Sequence, residues 1–297
     1  MRPALHTVSY AGVWPGQARL TLAETIQRAA KLGFKGVEIV AKRPHLSVLD
    51  FGDDDLKRLR EQMATLGIEC AALAGYTNFS ADAEHPDIPI NEMQIAYVTE
   101  LARIAAQLGG EIIRVFTAYY HPRLSHAQVT ELSVKCLKEC AQRAADYGCT
   151  LALQNHHDCA VHYESMYDLI MAIDEPNCRA AFDAWSPTLH GDDIVAAAKK
   201  MAPVTCYTTC ADYEYRPRFE YHPPLTNYTP LPAAVQMVAM GQGMIDYQGF
   251  LNALVAGGYD GWVAFEICAQ LTGGGSLDNL DKQARGFIKY IKPWVSK

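Results

Sequence analysis

The sequence predicts a single-domain (β/α)8 barrel, on three observations. Short runs rich in Val, Ile and Ala alternate with longer helical patterns eight times, and the eight units fill nearly the whole 297-residue chain. Alternation of this kind implies parallel strands joined by right-handed crossovers, and eight units at this length suit one closed barrel. The first turn after a strand, Tyr10-Ala-Gly-Val-Trp14, lacks the glycine-rich phosphate loop that an open doubly wound sheet carries there. We take 1–297 as one domain, without a linker or a low-complexity tract.

Ala4–Ser9 reads as the first strand. Leu20–Leu32 is a helix, with Leu22, Thr25, Ile26 and Ala29 at helical spacing, and Gly33 stops it. Gly36–Val40 is the second strand. Asp53–Leu66 is a helix whose three opening aspartates suit the positive end of the helix dipole. Gly67 ends it, and Ile68–Ala74 is the third strand. Asn91–Leu108 is a helix and Glu111–Phe116 the fourth strand. Ser125 is a natural N-cap for a helix running to Tyr147. Thr150–Gln154 is the fifth strand, followed by a helix over Tyr163–Ile173. Cys178–Asp183 is the sixth, with a helix over Asp192–Met201, and Val204–Thr209 the seventh. Tyr247–Ala256, Gly261–Ile267 and Leu277–Ile291 give the last helix, strand and closing helix.

One connection stands out. Cys210–Met244, 35 residues rich in proline and tyrosine, separates the seventh strand from the next helix. Loops this long in a compact domain are usually functional or disordered, and the aromatic content predicts an ordered cover on the site.

Composition narrows the function classes. A net charge of -7 gives no reason to expect nucleic acid or an anionic membrane as a partner. No stretch approaches the length of a membrane span, and the first twenty residues do not read as a signal peptide. Nine scattered cysteines without a C-x-x-C pair, several inside apolar runs such as Cys70, Cys136 and Cys140, predict buried thiols in a reducing cytoplasm. They lack the spacing of a structural zinc site.

In a barrel, polar residues at the C-terminal ends of strands are the natural catalytic candidates. Strand two offers Glu38, and strand four Arg114. Strand five runs out through Gln154-Asn155-His156-His157-Asp158. Strand six ends at Asp183 with Trp185 beyond it, strand seven at Thr208 and Thr209, and strand eight at Glu266. A carboxylate after Val-Ala-Phe is costly unless paired, which marks Glu266. Glu38 is a candidate substrate contact that can equally pair with Lys42 or Arg43, Arg114 reads best as a barrel-interior ion pair, and His157 is a candidate substrate contact that reads better as a loop pair with Asp158. Tyr10, Trp14 and Trp185 are candidates to stack on a sugar ring. Arg218, stiffened by Pro217, is a candidate substrate contact from the long connection.

Three segments carry a resemblance. Leu32-Gly-Phe-Lys-Gly-Val-Glu38, Gly241-Gln-Gly243-Met-Ile-Asp246-Tyr and Gly257-Gly-Tyr-Asp-Gly-Trp-Val-Ala-Phe-Glu266 make the sequence similar to the xylose-isomerase-like barrels, the sugar phosphate isomerase/epimerase group, over nearly the whole chain. The resemblance implies a carbohydrate substrate and a divalent metal held by Glu, Asp, His and Glu from strands five to eight. It also implies a substrate-contacting histidine at His156, and it leaves a homo-oligomer open.

Asp183 and Glu266 match that ligand set. Gln154 stands where the family has Glu, and Thr209 where it has His. Gln offers a carbonyl oxygen without charge, and Thr is a far poorer ligand than imidazole. Such a site should prefer Mn2+ or Mg2+ to zinc. Gln154 also cannot take or deliver a proton near neutral pH, which weighs against an epimerisation using two carboxylates. One base remains in the expected place, Glu266. The expectation is a sugar or cyclitol isomerase/epimerase working by proton transfer next to a carbonyl. The alternatives are a lyase or dehydratase on a keto-sugar, keto-inositol or 3-keto-glycoside, with His156 or His157 as the acid, and a non-catalytic sugar-binding barrel.

Overall fold

The computed structural model describes residues 1–295. In chain order the strands are β1 (Arg2–His6), β2 (Gly36–Val40), β3 (Glu69–Ala74), β4 (Ile112–Val115), β5 (Thr150–Gln154), β6 (Cys178–Ala181), β7 (Thr205–Cys210), β8 (Asp212–His222), β9 (Asn227–Val238) and β10 (Trp262–Phe265). Eight of them, all but β8 and β9, form a closed parallel barrel. β10 closes it between β7 and β1, with Ala264 opposite Thr209 on one side and Ala4 on the other.

The helices are α1 (Leu22–Leu32), α2 (Asp53–Leu66), α3 (Ile90–Leu108), α4 (His126–Ala145), α5 (Tyr163–Ile173), α6 (Trp185–His190), α7 (Ile194–Met201), α8 (Tyr247–Ala256) and α9 (Leu277–Ile291). Their starts follow the local chemistry. Thr21 with Glu24, and Ser125 with Gln128, form reciprocal capping boxes that satisfy the first orphan amides of α1 and α4. α1 and α2 end where Gly33 (φ 92°) and Gly67 (φ 64°) turn left-handed, a conformation only glycine adopts without strain. Among the described residues no helix is long and apolar enough to cross a membrane. Cys70, Cys136 and Cys140 are buried free thiols.

The barrel interior explains where a cavity can open. Its lower layer is small, with Ala4, Ala72, Ala152, Ala181 and Ala264, and is filled by Tyr207 and Trp262. Gly36 makes room for the indole, since a Cβ there would sit 2.7 Å from Trp262 Cη2. The plug fills the barrel at this level, and a cavity opens toward the C-terminal ends of the strands.

Three expectations need correction. The first strand stops at His6, because a 3-10 turn over Thr7–Tyr10 takes over and His6 Nδ1 accepts the Val8 N–H at 3.3 Å. The unit after β6 holds two helices, broken where Gly191 turns left-handed at φ 80° and Asp193 caps α7. The long connection after β7 is mostly regular: β8 and β9 form an antiparallel hairpin running from Asp212 opposite Val238 to His222 opposite Asn227.

Candidate active site

The strand ends surround a cavity of about 520 Å³, a size that suits a small-molecule ligand. Gln154, His156, His157, Asp183, Trp185, Thr209 and Glu266 all line it, so residues spread over 113 positions of sequence converge on one space.

Asp183 sits just past β6, where the strand ladder has ended. Two donors hold its buried carboxylate: Gln154 Nε2 donates to Oδ2, and the Thr209 N–H donates to Oδ1 at 2.8 Å. Its backbone is gripped by Asn155, which donates to the Asp183 carbonyl at 2.9 Å and accepts its N–H at 2.7 Å. Burial pushes the Asp183 carboxyl up to about 8, against the pull of the Gln154 and Thr209 donors.

His156 and His157 touch through their Nδ1 atoms at 2.9 Å, one ring donating and the other accepting. His156 packs against Phe116 and Trp185, each with centroids 5.2 Å away. His157 stacks on Tyr119 at 3.9 Å and takes a positive φ of 60°, rare for a residue with a side chain. Burial lowers His156 to about 3 and His157 to about 4, so both rings are neutral near pH 7.

Glu266 follows β10 and keeps 19% of its side chain exposed to the cavity. Beneath it lies a polar layer that reading strand ends did not assemble. His6, at the true end of β1, places Nε2 3.8 Å from Glu266 Oε1 and 3.7 Å from Glu38 Oε1. Arg114 Nε donates to Glu38 Oε1 at 3.3 Å, Nη1 donates to the Gly75 carbonyl at 3.1 Å, and the Tyr207 hydroxyl donates to Glu38 Oε2 at 3.1 Å. Burial pushes Glu38 up, while Arg114 and Tyr207 hold it back. Lys42 and Tyr76 also line the cavity, the ammonium 3.7 Å above the ring. Lys42 carries a signal in hindsight, two residues past a strand end. His6 was hidden by a first strand drawn three residues too long.

Some candidates lie elsewhere. Glu38 is fully buried below the cavity as the partner of Arg114 and does not line the cavity, which leaves Arg114 in the interior ion pair expected of it. Tyr10 faces away, because the 3-10 turn swings it outward and its hydroxyl donates to Asp281 of α9 at 2.9 Å. Trp14 does not line the cavity either. Arg218 lies on β8 opposite Leu231, exposed and away from the cavity. The side chain of Asp158, expected to pair with His157, lies outside the described residues.

The donor set can be tested against a divalent metal. Asp183 and Glu266 are hard oxygen donors on one cavity, Gln154 beside them adds an amide oxygen once its Nε2 no longer donates to Asp183, and a buried carboxyl pushed upward regains its charge beside a cation. These residues fit a divalent cation with water completing the shell. Thr209 meets Asp183 through its backbone N–H. Among the described residues no three His, Cys, Asp or Glu side chains come together as a metal cluster, so Asp183 and Glu266 are the charged ligands this cavity offers a cation.

Comparison with known proteins agrees with this architecture. Residues 26–292 match the family model described as xylose isomerase-like TIM barrel. Among solved structures, D-psicose 3-epimerase from Clostridium cellulolyticum H10 superposes with a TM-score of 0.77 at 17% identity, covering 100% of both chains. The IOLI protein with a binding zinc atom gives 0.75 at 18% identity, again over 100% of both. The probable 3-DHS dehydratase AsbF of Bacillus anthracis gives 0.73 at 16% identity, covering 98% of this chain and 99% of its own. No curated protein sequence matches the chain significantly.

Proposed function

This chain belongs to the family of xylose isomerase-like TIM barrels, and we propose that it moves a proton at the carbon next to the carbonyl of a sugar or cyclitol. The observation that carries this reading is the state of Glu266. Among the described residues, Asp183 and Glu266 are the two carboxylates lining the cavity. Asp183 is committed at both oxygens to Gln154 and Thr209. Glu266 is partly open to the cavity, which supports it as the carboxylate that accepts a proton from a bound substrate.

The other residues have supporting parts. Arg114, fixed by Glu38 and Gly75, presents a permanent positive charge to the cavity, which favours an enediolate-like oxygen. Trp185 and Phe116 give apolar walls that orient the ring and exclude water. The neutral His156–His157 pair can donate or accept a hydrogen bond at a substrate hydroxyl. Asp183, Glu266 and Gln154 would hold a divalent ion, which supplies polarisation of the substrate carbonyl when bound. Single-base proton transfer suits aldose-ketose isomerisation better than an epimerisation that needs a carboxylate on each face.

Elimination of water is the second reading. A dehydratase stands among the similar structures, and the histidine pair shares the cavity with the single base. Incubation with a panel of keto-sugars and keto-inositols in deuterated water separates the readings. Solvent deuterium at carbon with an isomeric product identifies the isomerase, and a product lacking one water identifies the lyase. Glu266→Gln should abolish exchange in either case. No exchange on any substrate, with binding retained, would leave a sugar-binding barrel.

A further inference from the structure

The hairpin of β8 and β9 has two unlike faces. Alternate strand residues point to opposite sides, so Tyr213, Tyr215, Phe219 and Tyr221 share one face of β8. Their partners across the ladder are Met237, Val235, Pro230 and Tyr228. The ring contacts agree, with Tyr228 5.0 Å from Tyr221 and 6.4 Å from Phe219. Glu214, Arg216, Arg218 and Glu220 occupy the other face.

At its base Tyr213 is buried, and Tyr213 and the more exposed Val235 line the active-site cavity. Farther out the same face stands in solvent, with Phe219, Tyr221 and Tyr228 about half exposed, and Tyr215, equally exposed, donates its hydroxyl to the Leu189 carbonyl of α6 at 3.2 Å. An apolar sheet face must be buried against something, and a two-stranded hairpin cannot bury it alone. Four half-exposed aromatic rings offer on the order of 300–500 Å². That lies within the range for a monomer's largest apolar patch, roughly 300–600 Å², which is often functional, and is about half of the ~800 Å² per partner in a standard interface.

A matching surface lies across the barrel mouth. The loop after β2 and the start of α3 form a groove of about 540 Å³, lined by Val48, Leu49, Ile90, Met93 and Tyr97. Leu49 and Met93 are 80% and 61% exposed. The arm follows β7, and α3 follows β3. In the strand order these two are four steps apart in either direction, so they stand on opposite sides of the ring.

We propose that the arm seats its aromatic face in the Leu49–Met93 groove of a second copy of this chain. Two copies facing mouth to mouth about a two-fold axis bring each arm to the other's groove, so the pair of patches is used twice and the interface closes. Each copy then contributes both an arm face and a groove toward the about 800 Å² per partner that a standard interface buries. Lys42 and Tyr76 wall both the groove and the catalytic cavity, so each seated arm buttresses its partner's active site. The arrangement is independent of which reaction the cavity performs.

Sedimentation of the full chain across micromolar concentrations tests this. Wild type should be a dimer. Phe219→Asp with Tyr228→Asp on the arm, and separately Leu49→Asp with Met93→Asp in the groove, should each raise the dimer dissociation constant about 100-fold or more. All four positions are exposed or rim the groove, so melting and circular dichroism should stay those of a folded barrel. Glu220→Gln, on the charged face, should leave the dimer intact. A wild type that stays monomeric at high concentration overturns the proposal. So does an arm variant that dimerises normally, a groove variant that dimerises normally, or equal dissociation by Glu220→Gln.

Discussion

Asn155 holds Asp183 by the backbone from both directions, donating from Nδ2 to its carbonyl at 2.9 Å and accepting its N–H at Oδ1 at 2.7 Å. β6 has already ended at Ala181, so no ladder bond is there to fix Asp183. The amide of Asn155 replaces the missing ladder. Asn155→Ala leaves a buried N–H and a buried carbonyl unpaired, and should cost about 2–4 kcal/mol. Urea unfolding checks this: the midpoint should drop with the slope unchanged. A loss below about half a kcal/mol would mean that water or a shifted loop replaces the clamp.

The second prediction concerns the buried pair under the cavity. Glu38 and Arg114 are both nearly inaccessible, and Tyr207 completes the carboxylate. Removing one partner strands the other as an unpaired buried charge. Glu38→Gln should therefore destabilise the fold by about 3–5 kcal/mol, while the double variant with Arg114→Met should cost less than the sum of the singles. A double-variant cycle in denaturant measures this. Strict additivity would mean that water already solvates the guanidinium.

Much of this was legible in the sequence, and the limits have physical causes. Eight strands and their order follow from hydrophobic pattern and glycine stops, which act locally. Asp183 and Glu266 were visible because a carboxylate straight after an apolar strand has few bland explanations. The resemblance at Gly241-Gln-Gly243 also has a structural reason. Asp212 Oδ2 accepts the N–H of both glycines at 2.9 Å, and a Cβ on Gly243 would collide with the Asp212 carboxylate and the Tyr213 carbonyl. The motif is thus the clasp at the base of the arm. What the sequence did not disclose is long-range. The tie from Tyr10 to Asp281 spans 271 residues and depends on a 3-10 turn whose buried residues look like strand. Arg218 was misplaced because the hairpin carries it beyond the cavity mouth.

His45 predicts a pH dependence. Its ring is buried, with Nε2 3.2 Å from the Leu20 carbonyl and Nδ1 2.9 Å from the Thr7 hydroxyl. Burial lowers its pKa, the Leu20 carbonyl opposes this, and Arg19 is the nearby charge that adds to the lowering. The folded state keeps the ring neutral where the unfolded chain binds a proton, below pH about 6.5. Stability from this residue is complete above that pH and is lost as pH falls toward the folded value, by at most about 1.4 kcal/mol per pH unit. His45→Gln should remove about one proton from the slope of stability against pH between 6.5 and 5. An unchanged slope would place the acid sensitivity in other groups.

The remaining prediction separates the metal from the base. Gln154→Glu puts a third carboxylate beside Asp183 and Glu266. In a chelated sample, crowding like charges in a buried site should lower the melting temperature relative to wild type. In Mn2+ the order should reverse, since a ligand at about 100 times its dissociation constant adds about 2.7 kcal/mol to the state that binds it. Wild type, with two charges and an amide, should show a smaller rise. Melting curves with chelator and with Mn2+, paired with calorimetric titration, read both effects without any substrate. If neither protein responds to the ion, the oxygen set does not bind it, and the chemistry must run on Glu266 and the fixed charge of Arg114. Deuterium exchange by metal-free wild type, lost in Glu266→Gln, would then establish the base independently of the ion.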